Sequence, residues 1–309
     1  MKRPFSLLTL FSLIKIIKNS RPDILHSHSS IDSWQIAMAG TLLKTPIIRS
    51  RHVMIPIKNN FFNRWLYAKA PSRILTTGIG IAKMVSDHVG VSTDKIVSIP
   101  TGVDFRKFDF QISGAKIRTE LGVSPRQPLI GKVAVMRSWK GHDYFLDSVP
   151  LVLEKYPDAR FVIVGDGPAY KRIHSKVQKL GLEKVIFMLG HREDIPEIMA
   201  ALDIHCLASF AVEGAAQVIP QAFAMKTPVV STRISSIPPI LGNGEWGILI
   251  EPKNSQDMAN GIIKFLNEPQ LAQSMAEKAY TFCKNELSAE KMMDQTIAVY
   301  REVLNDSNP

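Results

Sequence analysis

The chain has 309 residues, of which 45% are hydrophobic and 21% are charged; this composition excludes a disordered chain, and the length favours two domains. Its two cysteines, Cys206 and Cys283, provide neither a disulfide framework nor the spacing of a metal site, so we expect a cytoplasmic protein. The net charge of +10 is uneven, because residues 1–106 carry 15 Lys and Arg against 5 Asp and Glu, whereas residues 107–309 carry 23 of each kind.

The basic first third predicts contact with something anionic. A phospholipid surface or a phosphorylated glycolipid would satisfy this expectation. We expect no nucleic-acid partner, since the sequence shows neither interleaved basic and aromatic residues nor a recognised nucleic-acid module. A basic face that is merely solvated remains the simpler alternative.

The N-terminal segment Phe5–Ile17 is apolar and follows Lys2 and Arg3, as in a signal peptide. It lacks the small-residue cleavage site of such a peptide, and Lys15 and Lys18 interrupt it too early for a membrane span of ~20 residues. We therefore predict a helix that packs on a sheet, with a peripheral membrane role for its lysines as a secondary expectation.

The rest of the first third alternates between strand and helix patterns. Strands are predicted at 24–28, 46–50, 73–77 and 96–99, with helices at 33–43, 60–70 and 81–89 between them. The turn Pro100–Asp104 closes this part of the chain, and the polar residues 107–127 read as a linker with a short helix. We place the first domain at residues 1–106.

A second alternation of strands and helices starts at Leu129 and predicts a domain over residues 107–287. Leu129–Met136 is predicted as one continuous apolar strand. Further strands are predicted at 161–164, 185–189, 203–209, 228–231 and 248–250, and helices at 143–156, 169–180, 194–201 and 214–225, before three C-terminal helices of which the last covers 288–309. In a parallel sheet of this kind, ligands bind outside the carboxyl ends of the strands.

The segment Asp203–Thr232 carries a resemblance to a known family. Glu213-Gly214, the following helix with Ala222 and Met225, and Thr227–Val230 are similar to the signature of glycosyltransferase family 4, the retaining group 1 type. The resemblance implies an α/β fold of the GT-B type, in which two Rossmann-like domains with parallel sheets face each other and the last helix returns to the first domain. Members begin with a strand, a Gly-rich loop and a helix that this sequence does not show near Met1, so we expect an N-terminal domain that is incomplete at its start.

The family pattern has two Glu residues separated by seven others, and this chain has Glu213 and Gln221 at those positions. The resemblance implies that Glu213 contacts the transferred sugar and Gln221 the ribose, where a neutral amide replaces a charge. Gly214, Ala215 and Gln217 belong to the same predicted nucleotide site, the first two through amides at a helix start. Without the resemblance, Glu213 is equally an ordinary acidic residue before a helix.

A departing diphosphate is stabilised either by a metal on an Asp-x-Asp pair or by fixed cations and backbone amides. The sequence contains no Asp-x-Asp, so we expect no metal and no cofactor beside the nucleotide-sugar. Lys140 matches the family's phosphate-binding Lys; a solvated cation at a helix start is the alternative. The family's partner Arg stands five residues earlier, where this chain has Val135, and Arg137 is the local candidate.

Three further residues are candidates with plain alternatives. Gly167 lies in a tight turn at a strand end, where the nucleotide is expected. Arg192 precedes a helix, and it either contacts the nucleotide or is an ordinary charged surface residue. His52 matches by position a family histidine that reaches the donor sugar, although a lone loop histidine is more often incidental. His26 and His28 alternate on a strand and therefore share one face. This spacing suits two residues that line an acceptor cleft. It also suits two ligands of a metal ion, but the sequence shows no third ligand.

Together these features predict a metal-independent, retaining glycosyltransferase, cytoplasmic and peripheral at the inner face of the cell membrane. It would move a sugar from a nucleotide diphosphate-sugar to an envelope glycan, as in lipopolysaccharide, or to a lipid-linked acceptor. Two alternatives remain open. One is a non-catalytic nucleotide-binding remnant, favoured by the missing opening and by Gln221, and the other is a nucleotide-sugar epimerase of the same two-domain architecture.

Overall fold

The computed structural model describes residues 6–211 and 213–307. Its strands are β1 (Leu25–Ser27), β2 (Ile47–Arg51), β3 (Arg73–Thr76), β4 (Ile96–Ser98), β5 (Leu129–Val133), β6 (Arg160–Val164), β7 (Ile186–Gly190), β8 (Ile204–Leu207), β9 (Val229–Thr232) and β10 (Ile248–Ile250). Its α-helices are α1 (Leu7–Ser20), α2 (Ser30–Leu43), α3 (Phe61–Arg64), α4 (Ile79–Val89), α5 (Ala115–Glu120), α6 (His142–Leu153), α7 (Tyr170–Lys179), α8 (Ile195–Ala201), α9 (Val218–Ala224), α10 (Ile237–Ile240), α11 (Ser255–Asn267), α12 (Pro269–Glu286) and α13 (Ala289–Ser307).

The chain divides into two compact units, which differ slightly from the predicted domain limits of 106/107 and 287/288. The first unit comprises Met1–Thr101 with Glu290–Pro309, and the second comprises Gly102–Ala289. Both are built on parallel sheets flanked by helices, as the alternating pattern predicts.

The first unit holds a four-stranded parallel sheet in the order β1-β2-β3-β4. Successive residues of β3 point to opposite faces, so that Ile74 joins a core with α2 and α4, whereas Leu75 joins a core with α13. The helix α2 starts at a capping box, in which the Ser29 hydroxyl accepts from the amide of Asp32 while the Asp32 carboxylate accepts from the amide of Ser29. These contacts fix where the chain turns from β1 into α2.

The second unit holds a six-stranded parallel sheet in the order β10-β9-β8-β5-β6-β7. The strand β5 pairs with β6 on one side and with β8 on the other, so the chain runs outward through β6 and β7 and then returns to the opposite side of β5. The carboxyl ends of β5 and β8 are therefore neighbours at the point where the strand order reverses, and in sheets of this kind the crevice outside those ends is where ligands bind.

Most predicted elements are present with limits that differ by a few residues, although the predicted start of the first helix, Phe5, lies outside the described residues. The predicted strand Leu129–Met136 is wrong in two respects. It ends at Val133, and it is not continuously apolar, because Lys132 is enclosed in it. Since a charged residue within a buried strand is rare, Lys132 was the informative exception in that segment.

The predicted helix 214–225 is also wrong at its start. The helix α9 begins at Val218, because Ala216 adopts a left-handed backbone conformation with φ of 38° that a helix cannot include. Gly214 and Ala215 consequently belong to the loop before α9. Across residues 6–211 and 213–307, none of the helices combines the length and the apolar character needed to cross a membrane.

Candidate functional site

An ion pair between Lys140 and Glu213 occupies the crevice at the carboxyl ends of β5 and β8. Lys140 ends a 3₁₀ turn, Ser138–Lys140, that follows β5, and Glu213 lies in the loop that follows β8. The Lys140 Nζ lies 2.7 Å from the Glu213 Oε1, and the two side chains are only 18% and 7% exposed. The structure thus brings together two of the predicted site residues, which lie 73 positions apart in sequence.

Hydroxyl groups from neighbouring segments hold Glu213 in place. The Ser209 Oγ donates to the Glu213 Oε1, and the Ser236 Oγ donates to the Glu213 carbonyl oxygen over 3.0 Å. The Thr232 Oγ1 in turn donates to the Ser209 carbonyl oxygen over 2.5 Å. The acidic group is therefore positioned by three hydroxyl groups, one from the segment after β8, one from β9 and one from the loop after β9.

Gly141 allows the start of α6 to approach the end of β8. Its φ is 66°, and a Cβ at this position would lie 1.7 Å from the Ala208 carbonyl oxygen. Only glycine fits a left-handed conformation with so little space. As a result the amide groups of the first turn of α6 lie beside Lys140, where a helix N-terminus favours an anion.

The predicted residue Gly167 also lies at a strand end on this side of the sheet. It follows β6, has a φ of 150°, and a Cβ on it would lie 2.7 Å from the Met136 carbonyl oxygen. The turn therefore packs directly on the segment that leads from β5 to Lys140.

Three ionisable side chains are fully buried in the sheet below the ion pair. Burial, together with the charge of Lys140, lowers the pKa of Lys132 to about 7, and its Nζ has no hydrogen-bond partner among the described residues. Burial likewise lowers the pKa of His205 to about 3 and raises the pKa of Cys206 to about 12. His142, the first residue of α6, is also buried, and burial lowers its pKa to about 2.

The two predicted arginines have different environments. Arg137 is exposed, and its guanidinium carbon lies 5.2 Å from the centre of the Trp139 ring. Arg192 donates to Glu120 and to Asp194, in each case over 2.6 Å, and these hydrogen bonds raise its pKa. In this arrangement Arg137 is available to an incoming ligand, whereas Arg192 is already engaged by two carboxylates.

The predicted glutamines both lie around the start of α9. Gln217 donates from its Nε2 to the Gly102 carbonyl oxygen over 3.3 Å, and its buried Oε1 has no partner among the described residues. Gln221 lies one turn further along, half buried on α9. Gly214 and Ala215 are half buried between Glu213 and α9.

In the first unit, three histidines gather at the carboxyl ends of β1 and β2. His26 is hydrogen-bonded through Nδ1 to the Tyr300 hydroxyl over 2.6 Å and through Nε2 to the Ser50 hydroxyl over 2.8 Å. His28 stacks against the predicted residue His52, with ring centres 5.7 Å apart, and its ring centre lies 4.1 Å from that of His26, with the two rings tilted by 33°. The prediction that His26 and His28 share a face is confirmed.

These side chains line a cavity of about 520 Å³ whose other walls are largely apolar and come from β3, the segment after β4, and α13. Burial, followed by the neighbouring His28 and His52, lowers the pKa of His26 to about 4, so its ring is neutral at physiological pH. Among the residues that the structure describes, no three or more His, Cys, Asp or Glu side chains are arranged to hold a metal ion.

Comparison with known families gives the class of protein to which this arrangement belongs. The family model described as glycosyl transferases group 1 matches residues 114–282, and the one described as glycosyltransferase family 4 matches residues 1–107. The chain belongs to the group 1 glycosyl transferases and is a glycosyltransferase. The predicted family is therefore confirmed.

Two curated relatives illustrate the range of similar proteins. The chain is 23% identical over 312 residues to the N-acetyl-alpha-D-glucosaminyl L-malate synthase of Bacillus anthracis, covering 98% of this chain and 81% of the relative. It is 28% identical over 269 residues to the UDP-Gal:alpha-D-GlcNAc-diphosphoundecaprenol alpha-1,3-galactosyltransferase of Escherichia coli, covering 83% of this chain and 69% of the relative.

Solved structures show the same fold. A glycosyltransferase from Rickettsia africae superposes with a TM-score of 0.90 at 24% identity, covering 98% of this chain and 83% of that one. The HepE protein of Anabaena, solved in complex with UDP, superposes with a TM-score of 0.86 at 22% identity, covering 95% of this chain and 82% of that one. The predicted GT-B fold class is confirmed by these neighbours and by the two parallel sheets.

Proposed function

We propose that the chain transfers a sugar from a nucleotide diphosphate-sugar to a glycan or lipid-linked acceptor, with retention of the anomeric configuration and without a divalent metal. The observation that carries this proposal is the Lys140–Glu213 pair at the crevice of the second unit. The relatives support the substrate classes, since HepE was solved with UDP-glucose and the E. coli relative is named for a diphosphoundecaprenol acceptor.

The chemistry of the pair suits a departing diphosphate. The 2.7 Å contact with Glu213 holds the Lys140 ammonium beside the start of α6. A diphosphate entering the crevice would accept from this ammonium and from the helix amides, so negative charge that develops on the leaving group meets positive groups already in place. Arg137 is the second cation within the same loop.

Glu213 and Gln221 have separate proposed roles. The Glu213 carboxylate would accept from hydroxyl groups of the donor sugar, oriented by the hydroxyls of Ser209 and Ser236. Gln221 would contact the ribose with an amide that both donates and accepts.

A transfer assay tests the reaction. The purified full chain is supplied with UDP-glucose, UDP-galactose or UDP-N-acetylglucosamine and with a detergent-solubilised polyprenyl-diphosphate sugar. We expect acceptor-dependent release of UDP with at least one donor, an α-linked product by proton NMR, and full activity in EDTA, because cations of the chain stabilise the diphosphate. A β-linked product would contradict retention, and loss of activity in EDTA that Mg²⁺ restores would contradict metal independence.

The basic first third supports a second part of the proposal, attachment to an anionic membrane surface. The helix α1 exposes Leu7, Leu8 and Phe11 as well as Lys15 and Lys18. An amphipathic helix with apolar and basic side chains of this kind binds at the boundary of headgroups and acyl chains.

Vesicle sedimentation tests this attachment. We expect the chain to sediment with vesicles containing phosphatidylglycerol more than with pure phosphatidylcholine, and less as salt is raised, since each basic residue near the surface adds to the attraction. The double variant Lys15→Glu/Lys18→Glu should bind less, whereas Lys171→Glu on the exposed surface of α7 should bind like the wild type. Binding that is indifferent to lipid charge would contradict the proposal.

A further inference from the structure

Lys132 carries a buried amine in the strand β5. It lies one residue before the end of β5, is 0% exposed, and its Nζ makes no hydrogen bond among the described residues. An unpaired polar group in a protein interior costs free energy that a methionine of similar length would not cost. Packing alone therefore does not explain a lysine at this position.

The side chain of Lys132 lies on the face of the sheet that α6 covers. Ile130 packs into the core beneath α6, and because side chains alternate along a strand, Lys132 points the same way. Cys206 on β8 belongs to this core as well. The amine is thus buried between β5, β8 and the first turn of α6, directly below the loop that ends in Lys140.

Burial and the charged groups around Lys132 together disfavour its charge. Lys132 interacts electrostatically with five titratable side chains, which lie on β8, on α6 and in the loops after β5 and β8: Lys140, His142, His205, Cys206 and Glu213. Lys140 repels a second ammonium, both histidines are neutral, and the Cys206 thiol is protonated. Glu213 attracts it, but the carboxylate is already paired with Lys140.

A diphosphate in the crevice would reverse this balance. It brings negative charge to the end of β5, and it competes with Glu213 for Lys140, so the carboxylate loses part of its neutralising partner. Both changes favour an ammonium at Lys132, and they act strongly because the interior screens charge poorly. Of the buried bases near the crevice, Lys132 needs the smallest rise in pKa to become protonated at neutral pH. Its pKa is about 7, whereas the pKa of His142 is about 2 and that of His205 is about 3.

We propose that Lys132 takes up a proton from solvent when a nucleoside diphosphate occupies the crevice, and that it then serves as a buried positive charge beneath the diphosphate. This inference rests on the proposed nucleotide site at Lys140 and Glu213. It adds a third cation to that site, one supplied by the strand rather than by the loops.

Calorimetry of the full chain tests the inference. UDP and GDP are titrated at pH 8 in HEPES and in Tris, whose different ionisation heats report the protons taken up on binding. At pH 8 the diphosphates are already deprotonated, so a proton gained belongs to the protein. We expect uptake of about one proton per nucleotide, and an affinity that falls by up to about tenfold per pH unit above pH 8, because the free amine must be protonated.

The variant Lys132→Met should bind with a proton uptake near zero and an affinity that does not depend on pH in this range, while Lys171→Met should behave like the wild type. Circular dichroism confirms that each variant is folded, and Lys132→Arg, which is permanently charged, provides a second variant that should also bind without uptake. Binding without proton uptake in the wild type, or uptake that survives in a folded Lys132→Met, would overturn the inference and leave the nucleotide site standing. If neither nucleotide binds the wild type, the nucleotide site and this inference both fail.

Discussion

Replacing Lys140 by alanine is expected to lower kcat/KM for the nucleotide-sugar by about 10²–10³-fold, the usual effect of removing one preorganised group that stabilises developing charge. The structure gives the reason. The Lys140 ammonium lies in the segment after β5, is held by Glu213 at 2.7 Å and is only 18% exposed. Release of UDP at limiting donor concentration measures the change.

Two controls separate this effect from a loss of structure. Lys171→Ala removes an exposed lysine of the same unit and should leave kcat/KM unchanged. Because Lys140→Ala leaves the Glu213 carboxylate buried without its cation, the double variant Lys140→Ala/Glu213→Gln removes both charges and should recover stability but not activity. If Lys140→Ala transferred sugar as efficiently as the wild type, the assigned phosphate role would be wrong.

Replacing Lys132 by methionine is expected to raise the free energy of unfolding at pH 7 by about 2–5 kcal/mol, the scale set by the depression of its pKa. The pKa of Lys132 is about 7 in the folded chain against 10.5 for an ordinary lysine. Between these values the unfolded chain binds a proton that the folded chain does not, so the stability of the wild type rises with pH. The destabilisation that Lys132 causes in the folded chain is therefore complete below pH 7 and is lost as the pH approaches 10.5.

Urea unfolding at pH 6, 8 and 10 measures this difference through tryptophan fluorescence, to which Trp139 and Trp246 of the second unit contribute. The advantage of Lys132→Met over the wild type should be largest at pH 6 and smallest at pH 10. Lys171→Met should show no such trend, because Lys171 is exposed. An advantage that stays constant or grows with pH would contradict a buried neutral amine at this position.

The alternation of strands and helices was predictable because each strand of a parallel sheet is a short apolar run between polar turns. Runs such as Phe161–Val164 have no polar residue and allow one interpretation. The start of α9 was not predictable in the same way. The composition of 214–217 permits a helix, and only the left-handed Ala216, fixed by surrounding packing, excludes it.

The candidate site was predictable only in part. Lys140 and Glu213 each carried a local signal, but their contact depends on β5 and β8 being neighbours, a property of the strand order. The contact of His26 with Tyr300 spans 274 positions, and nothing near either residue indicates the other. Lys132 did carry a local signal, since it is the one charged residue in the run Leu129–Met136.

Gly141, between Lys140 and α6, affects how much entropy anion binding costs. A Cβ at Gly141 would lie 1.7 Å from the Ala208 carbonyl oxygen, so the backbone at the start of α6 packs directly against the segment that follows β8. The amide dipoles of the first turn of α6 are therefore already oriented before an anion binds. Anion binding at the start of α6 should cost little conformational entropy, so the affinity for an anion there should depend on charge rather than on loop closure.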